Sequence, residues 1–304
     1  MTIAIGIDIG GTKTAIGLID EQGQLLAKQA LPTDLGVSPP QMVARIAAGI
    51  QEMIDTSGIL SSELIGIGIG APGPLDTRSG ILDCPPNLPG WQGFALVEAL
   101  RRHFDLPVRM ENDATAAALA EKWLGAAQGS EHFAFVTIST GIGAGLYAHG
   151  RLLTGSSGNA GDAGHIVIDP AAGRCACGQL GCWEWVASGT AIARQATELR
   201  GRATTAKEAF ALAAAGDAVM QPLVERVYRY IGMGCVSLIN LLDPELIVLG
   251  GGVAQSGAPL FAAVSAYVAA HALGPRGRRT AIVPAELKTE AGLIGAAALV
   301  HVPY

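Results

Sequence analysis

The chain has 304 residues, half of them apolar and 15% charged, which is enough for two modest domains or one large one and excludes a disordered chain. A net charge of −6 argues against a surface that coats nucleic acid, so no nucleic-acid partner is expected. The start, MTIAIGIDIGGTKT, carries Asp8 and lacks a basic segment and a cleavage site, and no run of about eighteen apolar residues follows. The expectation is a cytoplasmic protein without a membrane partner. Disulfides are rare in that compartment, and five cysteines is an odd number.

Residues 3–9 alternate around Ile3, Ile5, Ile7 and Ile9 and predict a strand. GGTKT turns it into a second strand, 15–19, and QLLAKQAL reads as a third. Residues 41–54 carry Met42, Ile46, Ile50 and Ile54 at helical spacing. LIGIGIG (64–70) alternates apolar residues with glycine, as in a strand packed closely against something, and APGPLDTRSG reads as a loop. A helix is expected over 94–104, a short strand over 108–110 and a helix over 114–124. The pattern then restarts with a strand at 133–140, a glycine turn in GIGAG and a hairpin in LYAHGRLL. Helices are expected over 189–200, 204–215, 219–242, 259–273 and 292–300, with strands at 246–253 and 280–287. A strand and a glycine turn thus open each half, which suggests two related halves bracketing a cleft.

DIGGTK does not have the P-loop spacing, and a strand rather than a helix follows it. GIGAG misplaces the third glycine of a dinucleotide fingerprint. Glycines at strand–strand turns let backbone N–H groups face a ligand such as phosphate. Thr12 and Lys13 can add a hydroxyl and a charge, and Asp8 beside a phosphate makes sense with Mg²⁺ between them. An ordinary tight hairpin explains one such turn as well. Three of them (DIGGTK, STGIGAG, VLGGGV) point to a nucleotide.

In MENDATAAALAEKW, Asn112 or Asp113 can simply cap the helix that follows. Asp113 can also take a proton from an attacking hydroxyl while Asn112 holds another, as phosphoryl transfer to an alcohol requires. Glu111 is expected to face the other way. His165, Cys175, Cys177 and Cys182 make a Cys₃His set suited to a closed, structural zinc ion. Such an ion fixes the loop that carries Asp162, His165 and Glu184, and these residues with Asn112 suit a polyhydroxylated ligand. Trp91, Trp183 and Trp185 can stack on a ligand, although core packing is the more ordinary role for tryptophan.

DIGGTK, GAPGPLD, NLPGW, END, STGIGAG, GDAGH, CACGQLGCWE and VLGGGV come in the order seen in ROK proteins (repressors, open reading frames, kinases), and the chain resembles that family along nearly its whole length. The resemblance implies an α/β, two-domain actin/hexokinase-like (ribonuclease H-like) fold with a cleft between domains. The expected division is residues 1–112 plus 291–304 against 113–290, with the zinc loop in the second. Asp113 is implied as the base, with Asn87, Asn112, Asp162, His165 and Glu184 binding sugar. Asp8, Gly10, Gly11, Thr12, Lys13, Thr140 and Gly141 are implied around the ATP phosphates, with Gly250 and Gly251 beside the nucleoside. His165, Cys175, Cys177 and Cys182 are the implied zinc ligands. GDAGH departs from the family's usual G-E-x-G-H. Asp162 is one methylene shorter than Glu, which withdraws the carboxylate by roughly 1.5 Å and bears on which sugar fits.

These features predict an ATP-dependent hexose 6-phosphotransferase, glucokinase-like, with ATP, Mg²⁺ and structural zinc. The family also offers kinases for fructose, N-acetylmannosamine and N-acetylglucosamine, and a homodimer. A sugar-sensing regulator is the alternative from another class. The family's repressors carry a DNA-binding segment ahead of the first glycine turn, and a strand starting at residue 3 leaves no room for one. A zinc-dependent hydrolase is a third alternative, disfavoured by a closed ligand set.

Overall fold

The computed structural model describes residues 1–304, except for the side chain of Thr289. The chain divides into two compact units: residues 1–128, 151–160 and 289–304 form unit 1, and residues 129–150 and 161–288 form unit 2.

Unit 1 opens with β1 (Ile3–Ile9), β2 (Lys13–Asp20) and β3 (Leu25–Pro32), followed by α1 (Pro39–Ser57) and β4 (Leu64–Ala71). Three two-residue strands, β5 (Leu75–Asp76), β6 (Ile81–Leu82) and β7 (Phe94–Ala95), make a small sheet, with β5 inside the expected loop and β7 at the start of the helix expected over 94–104. Then come α2 (Leu96–Arg101), shorter than the 94–104 helix expected, β8 (Val108–Asn112) and α3 (Asp113–Leu124). The main sheet runs β3-β2-β1-β4-β8, with antiparallel β1–β2 and β2–β3 pairs and parallel β1–β4 and β4–β8 pairs.

Unit 2 contains β9 (Phe133–Ile138) and β10 (Ile142–Ala148), and β11 (Arg151–Leu152) begins the short segment grouped with unit 1. There follow α4 (Trp183–Ala187), α5 (Gly189–Arg200), α6 (Ala206–Ala214), α7 (Met220–Leu242) and β12 (Leu246–Gly250). Then come α8 (Gly251–Ala254), α9 (Ala258–His271), α10 (Gly274–Gly277) and β13 (Ala281–Pro284), and α11 (Ala291–His301) closes unit 1. In unit 2, β10 pairs antiparallel with β9, β9 parallel with β12, and β12 parallel with β13. This repeats the β2-β1-β4-β8 pattern, so the two halves read from the glycine turns are present as sheets. The turn itself is Ser139–Gly141, and GIGAG is mostly strand β10, because its residues pair with β9.

In unit 1 the two sheet faces differ in residue size. Ile3, Ile5, Ile7 and Ile9 pack in one buried cluster with Met42, Ile46 and Ile50 of α1. Each such side chain contributes roughly 1.5–3 kcal/mol through burial. The other face presents Ala4, Gly6, Gly66, Gly68 and Gly70, and α11 lies directly on it. A Cβ added at Gly68 collides with the Ala296 carbonyl. The alternation in LIGIGIG is therefore a large-residue face against α1 and a bare face against α11.

The expected boundary at 112/113 falls between β8 and α3. In the structure α3 packs on α11 and stays in unit 1, because its alanine-rich face suits the small residues of α11. The segment 151–160 also joins unit 1: the Leu75 N–H donates to Asn159 Oδ1 at 3.0 Å, and Asn159 Nδ2 donates to the Leu75 carbonyl at 2.8 Å. No helix among the described residues is long and apolar enough to cross a membrane.

Gly68→Ala is expected to lower the urea midpoint by the equivalent of about 1–3 kcal/mol, the cost of overpacking. Gly129→Ala, where an added Cβ meets nothing within 4 Å, is the control and leaves the midpoint unchanged.

Candidate active site

In unit 1 the carboxyl ends of the parallel strands β1, β4 and β8 carry Asp8, Gly70 and Asn112–Asp113. Beyond β1 the turn closes with the Gly10 N–H donating to the Lys13 carbonyl at 2.9 Å. Thr33 braces it: its hydroxyl donates to the Gly10 carbonyl at 2.8 Å and lies 2.9 Å from the Thr14 hydroxyl. Sequence reading missed both threonines. Thr14 and Thr33 are buried polar residues, which was the signal available. Asn87 sits against this turn, its carbonyl 2.7 Å from where a Cβ on Gly11 would stand.

Asp8 is largely buried with its carboxylate against Gly292 in the first turn of α11, where any side chain would displace it. Burial raises its pKa, opposed by the charges of Lys13 and Lys28. The N-terminal end of α11 also favours the carboxylate. A Cβ on Gly70 would lie 3.9 Å from Asp8 Oδ1 and 3.8 Å from the Asp113 Cα, so the two acids flank one residue of β4.

Asn112 is the N-cap of α3, its Oδ1 accepting from the Ala114 N–H at 2.9 Å. Asp113 is the first residue of the helix and exposed, and its Oδ1 also accepts from the Ala114 N–H, at 2.7 Å. Glu111, opposite Asn112 in the alternation of β8, is buried.

In unit 2 the β9–β10 turn is held by Glu184. Its Oε2 accepts from the Ile142 N–H at 2.9 Å, and it occupies the space a side chain at Gly141 would need. The short turn Ala163–His165 packs on the start of β10, and the His165 N–H donates to the Asp162 carbonyl at 3.1 Å. Burial raises the Asp162 pKa against the influence of His165. The structure thus brings Gly141, Asp162, His165 and Glu184 together.

His165, Cys175, Cys177 and Cys182 have ligand atoms all within 4.8 Å of one another. Cys175 Sγ lies 3.9 Å from His165 Nδ1, and the Cys177 and Cys182 sulfurs are 3.6 Å apart. A tetrahedral ion with metal–sulfur legs of about 2.3 Å needs edges of about 3.8 Å, so the set fits a divalent cation. Nδ1 is the ring nitrogen that faces the cysteines. Gln179 steadies the loop by donating to the His165 carbonyl at 2.7 Å. Burial raises the Cys182 thiol, and a bound cation would reverse that by favouring thiolate. Cys84 and Cys235 lie outside the group, Cys235 buried and Cys84 exposed.

Trp91 and Trp183 are core residues, each at most 1% exposed, and the Trp183 ring lies on Gly234 of α7. Trp185 is half-buried under the Arg194 guanidinium, 3.3 Å from its ring centroid.

A 750 Å³ cavity in unit 2 is lined by Ser139, Thr140, Thr190, Lys207, Phe210 and Ser256, among others. The N-terminus of α5 opens on it at Gly189 and Thr190, and the Ser256 Oγ is buried without a hydrogen-bond partner. Thr140 lines this cavity. Gly141 faces Glu184 instead, and Gly250 and Gly251 precede the lining residue Gly252. Lys207 and Phe210 were missed, since helix α6 carries no motif, and so was Ser256, in the turn after α8.

Residues 4–302 match the sequence profile of the ROK family. The chain is 35% identical to a glucokinase of Halalkalibacterium halodurans, covering 97% of this chain and 94% of that protein. It is equally 35% identical to an N-acetylmannosamine kinase of Escherichia fergusonii, covering 97% of each. The structure of a ROK family glucokinase from Streptomyces griseus, in complex with glucose and AMPPNP, superposes with a TM-score of 0.82 at 31% identity, over 99% of this chain and all of that one. The chain belongs to the ROK family. Its fold is the α/β, actin/hexokinase-like class expected from the sequence.

Burial raises the Glu111 carboxyl to about 7, against a hydrogen bond from the Asn112 backbone N–H. Between its ordinary value of 4.5 and about 7 the folded state holds a proton that the unfolded state has lost. Stability from this group is therefore present in full below the unfolded value and falls as pH rises through that window, by roughly 3 kcal/mol at most. Glu111→Gln is expected to flatten the decline, read as urea midpoints at pH 5, 6, 7 and 8.

Proposed function

We propose that the chain is an ATP-dependent hexose kinase that transfers the γ-phosphoryl group to a sugar 6-hydroxyl, with glucose the first candidate. The observation that carries this reading is Asp113, an exposed carboxylate opening α3 beside a cap supplied by Asn112. Capping alone needs only one of the two. The gathering of polar groups at the carboxyl ends of parallel strands in each unit also supports it, since α/β sheets bind ligands there. So does the S. griseus enzyme's complex with glucose and AMPPNP.

In unit 1, Asp113 accepts the proton of the attacking hydroxyl, and Asn112 and Asn87 hold sugar hydroxyls. The Gly11 N–H, with Thr12 and Lys13, faces phosphate oxygens, while Gly10, whose N–H closes the turn, keeps the approach clear of side chains. Asp8 holds Mg²⁺, which supplies positive charge to the phosphates. In unit 2, Asp162, His165 and Glu184 bind the sugar. Thr140 and Gly141 serve the phosphates, Gly250 and Gly251 the nucleoside, and the 750 Å³ cavity with Lys207 and Phe210 accommodates the rest of the nucleotide. Zinc on His165, Cys175, Cys177 and Cys182 leaves no open position and acts by fixing the loop. A homodimer follows the family pattern.

A second sugar class is favoured by two observations. Asp162 replaces the usual Glu, and the N-acetylmannosamine kinase is as similar as the glucokinase. Fructose and N-acetylglucosamine complete the set. A panel of these sugars, read by ADP formation, decides among them.

Asp113→Asn is expected to cut turnover by about 100- to 10,000-fold, the usual worth of a general base, while calorimetry shows hexose binding intact. Turnover near wild type would leave Asp113 with capping alone. One zinc per chain is expected by elemental analysis. Cys182→Ser should lose it and lower the thermal midpoint, because metal binding energy is folding energy.

A further inference from the structure

A 240 Å³ cavity in unit 1 is lined by Arg78, Ser79, Arg101, Arg109, Glu111 and Tyr304, among others. The chain is acidic overall, with 26 carboxylates against 20 Lys and Arg. Three arginines nevertheless line this cavity together with Glu111. Arg109 gives one N–H to the Leu299 carbonyl at 2.9 Å and lies 5.6 Å from the Tyr304 ring centroid, and Arg101 reaches the Val108 carbonyl at 3.4 Å. Each guanidinium has five donors, so most of them are left for a ligand. The carboxylate of Asp76, nearby in sequence, is engaged by the Ser79 hydroxyl at 2.6 Å and the Arg78 backbone N–H at 3.0 Å.

Glu111 is 4% exposed, and its Oε2 is buried without a hydrogen-bond partner. Leaving such a polar atom orphaned in the interior is costly, and nothing in the reaction above uses it. Protonated, as burial favours, the carboxyl can donate to an anionic oxygen instead of repelling it. A volume of 240 Å³ corresponds to about eight waters at roughly 30 Å³ each, room for a small sugar-sized molecule and too little for a nucleoside triphosphate.

We propose that this cavity is a second ligand site that takes a phosphate monoester, a hexose 6-phosphate in particular, with the phosphoryl group on Arg78, Arg101 and Arg109 and hydroxyls towards Glu111 and Tyr304. The choice of a hexose 6-phosphate rests on the kinase reading, whose product it is; the choice of a phosphoryl dianion rests on the arginines alone. Because Glu111 directly precedes Asn112, the last residue of β8, and Asp113, the first of α3, an occupant bears on the backbone that presents them. The site is thus placed to let product act on the enzyme.

The test is calorimetric titration of the full chain with glucose 6-phosphate, inorganic phosphate and glucose, without nucleotide. Asn112→Ala, which addresses the proposed sugar site, is expected to retain one glucose 6-phosphate binding event. Arg101→Ala and Arg78→Ala are expected to weaken that event at least tenfold. If Arg101→Ala unfolds, Arg78→Ala, with no side-chain hydrogen bond to lose, still decides. Arginine-dependent binding of inorganic phosphate alone, as tight as the sugar phosphate, supports the site with free phosphate as its occupant. Binding that survives both arginine variants, binding that disappears in Asn112→Ala, or arginine-dependent binding of glucose alone overturns the proposal. None of these readouts needs turnover. A chain that binds the sugar phosphate here yet phosphorylates no sugar refutes the kinase reading and leaves the cavity assignment standing.

Discussion

The arrangement of unit 1 depends on the contact between α11 and the bare face of β1 and β4. With no side chains at Gly6 and Gly68, the helix backbone comes directly onto the sheet. From there its own small residues act in two directions. Gly292 makes room for the Asp8 carboxylate at the end of β1, and Gly295 lets the backbone of α3 approach near Ala116. One close helix therefore sets both the depth of Asp8 and the position from which α3 presents Asp113. Adding a methyl group along this row would move two acids, not one.

Unit 2 solves a similar problem with side chains. Glu184 follows Cys182 by two residues in the chain and holds the Ile142 N–H across the β9–β10 turn. The turn is thus tied to the loop that carries the metal ligands. Gln179 and the backbone pairing of Val167 with Cys182 fold that loop back on the residues around His165. A cation here would rigidify the frame that holds Asp162, His165 and Glu184, which is structural work.

Much of this was legible in the chain. The two strand–glycine openings did mark two sheets of the same order. The Cys₃His spacing did bring four ligands together, since a loop of eighteen residues rich in glycine has few other ways to bury Cys175 and Cys182. Glu111 was expected to face away from Asp113, but strand alternation opposes it only to Asn112, since Asp113 has already entered the helix. The domain boundary was less legible. Nothing in END tells that α3 stays with the strand before it, because that choice is made by α11, nearly two hundred residues later. Phe210 and Lys207 on α6, and Ser256 in the turn after α8, were silent for the same reason: a residue carries no mark of the cavity its distant neighbours enclose.

By itself, the order of residues determined the strands, the turns, the metal-ligand set and the family, because each is written in short-range spacing and backbone preference. Tertiary structure alone decided which glycines face α11, how deeply Asp8 sits, that Asn87 meets the Gly11 turn, and that Glu111 ends beside three arginines. Those outcomes depend on which distant segments share a surface, and burial, charge and hydrogen bonding take their values only once those segments have met.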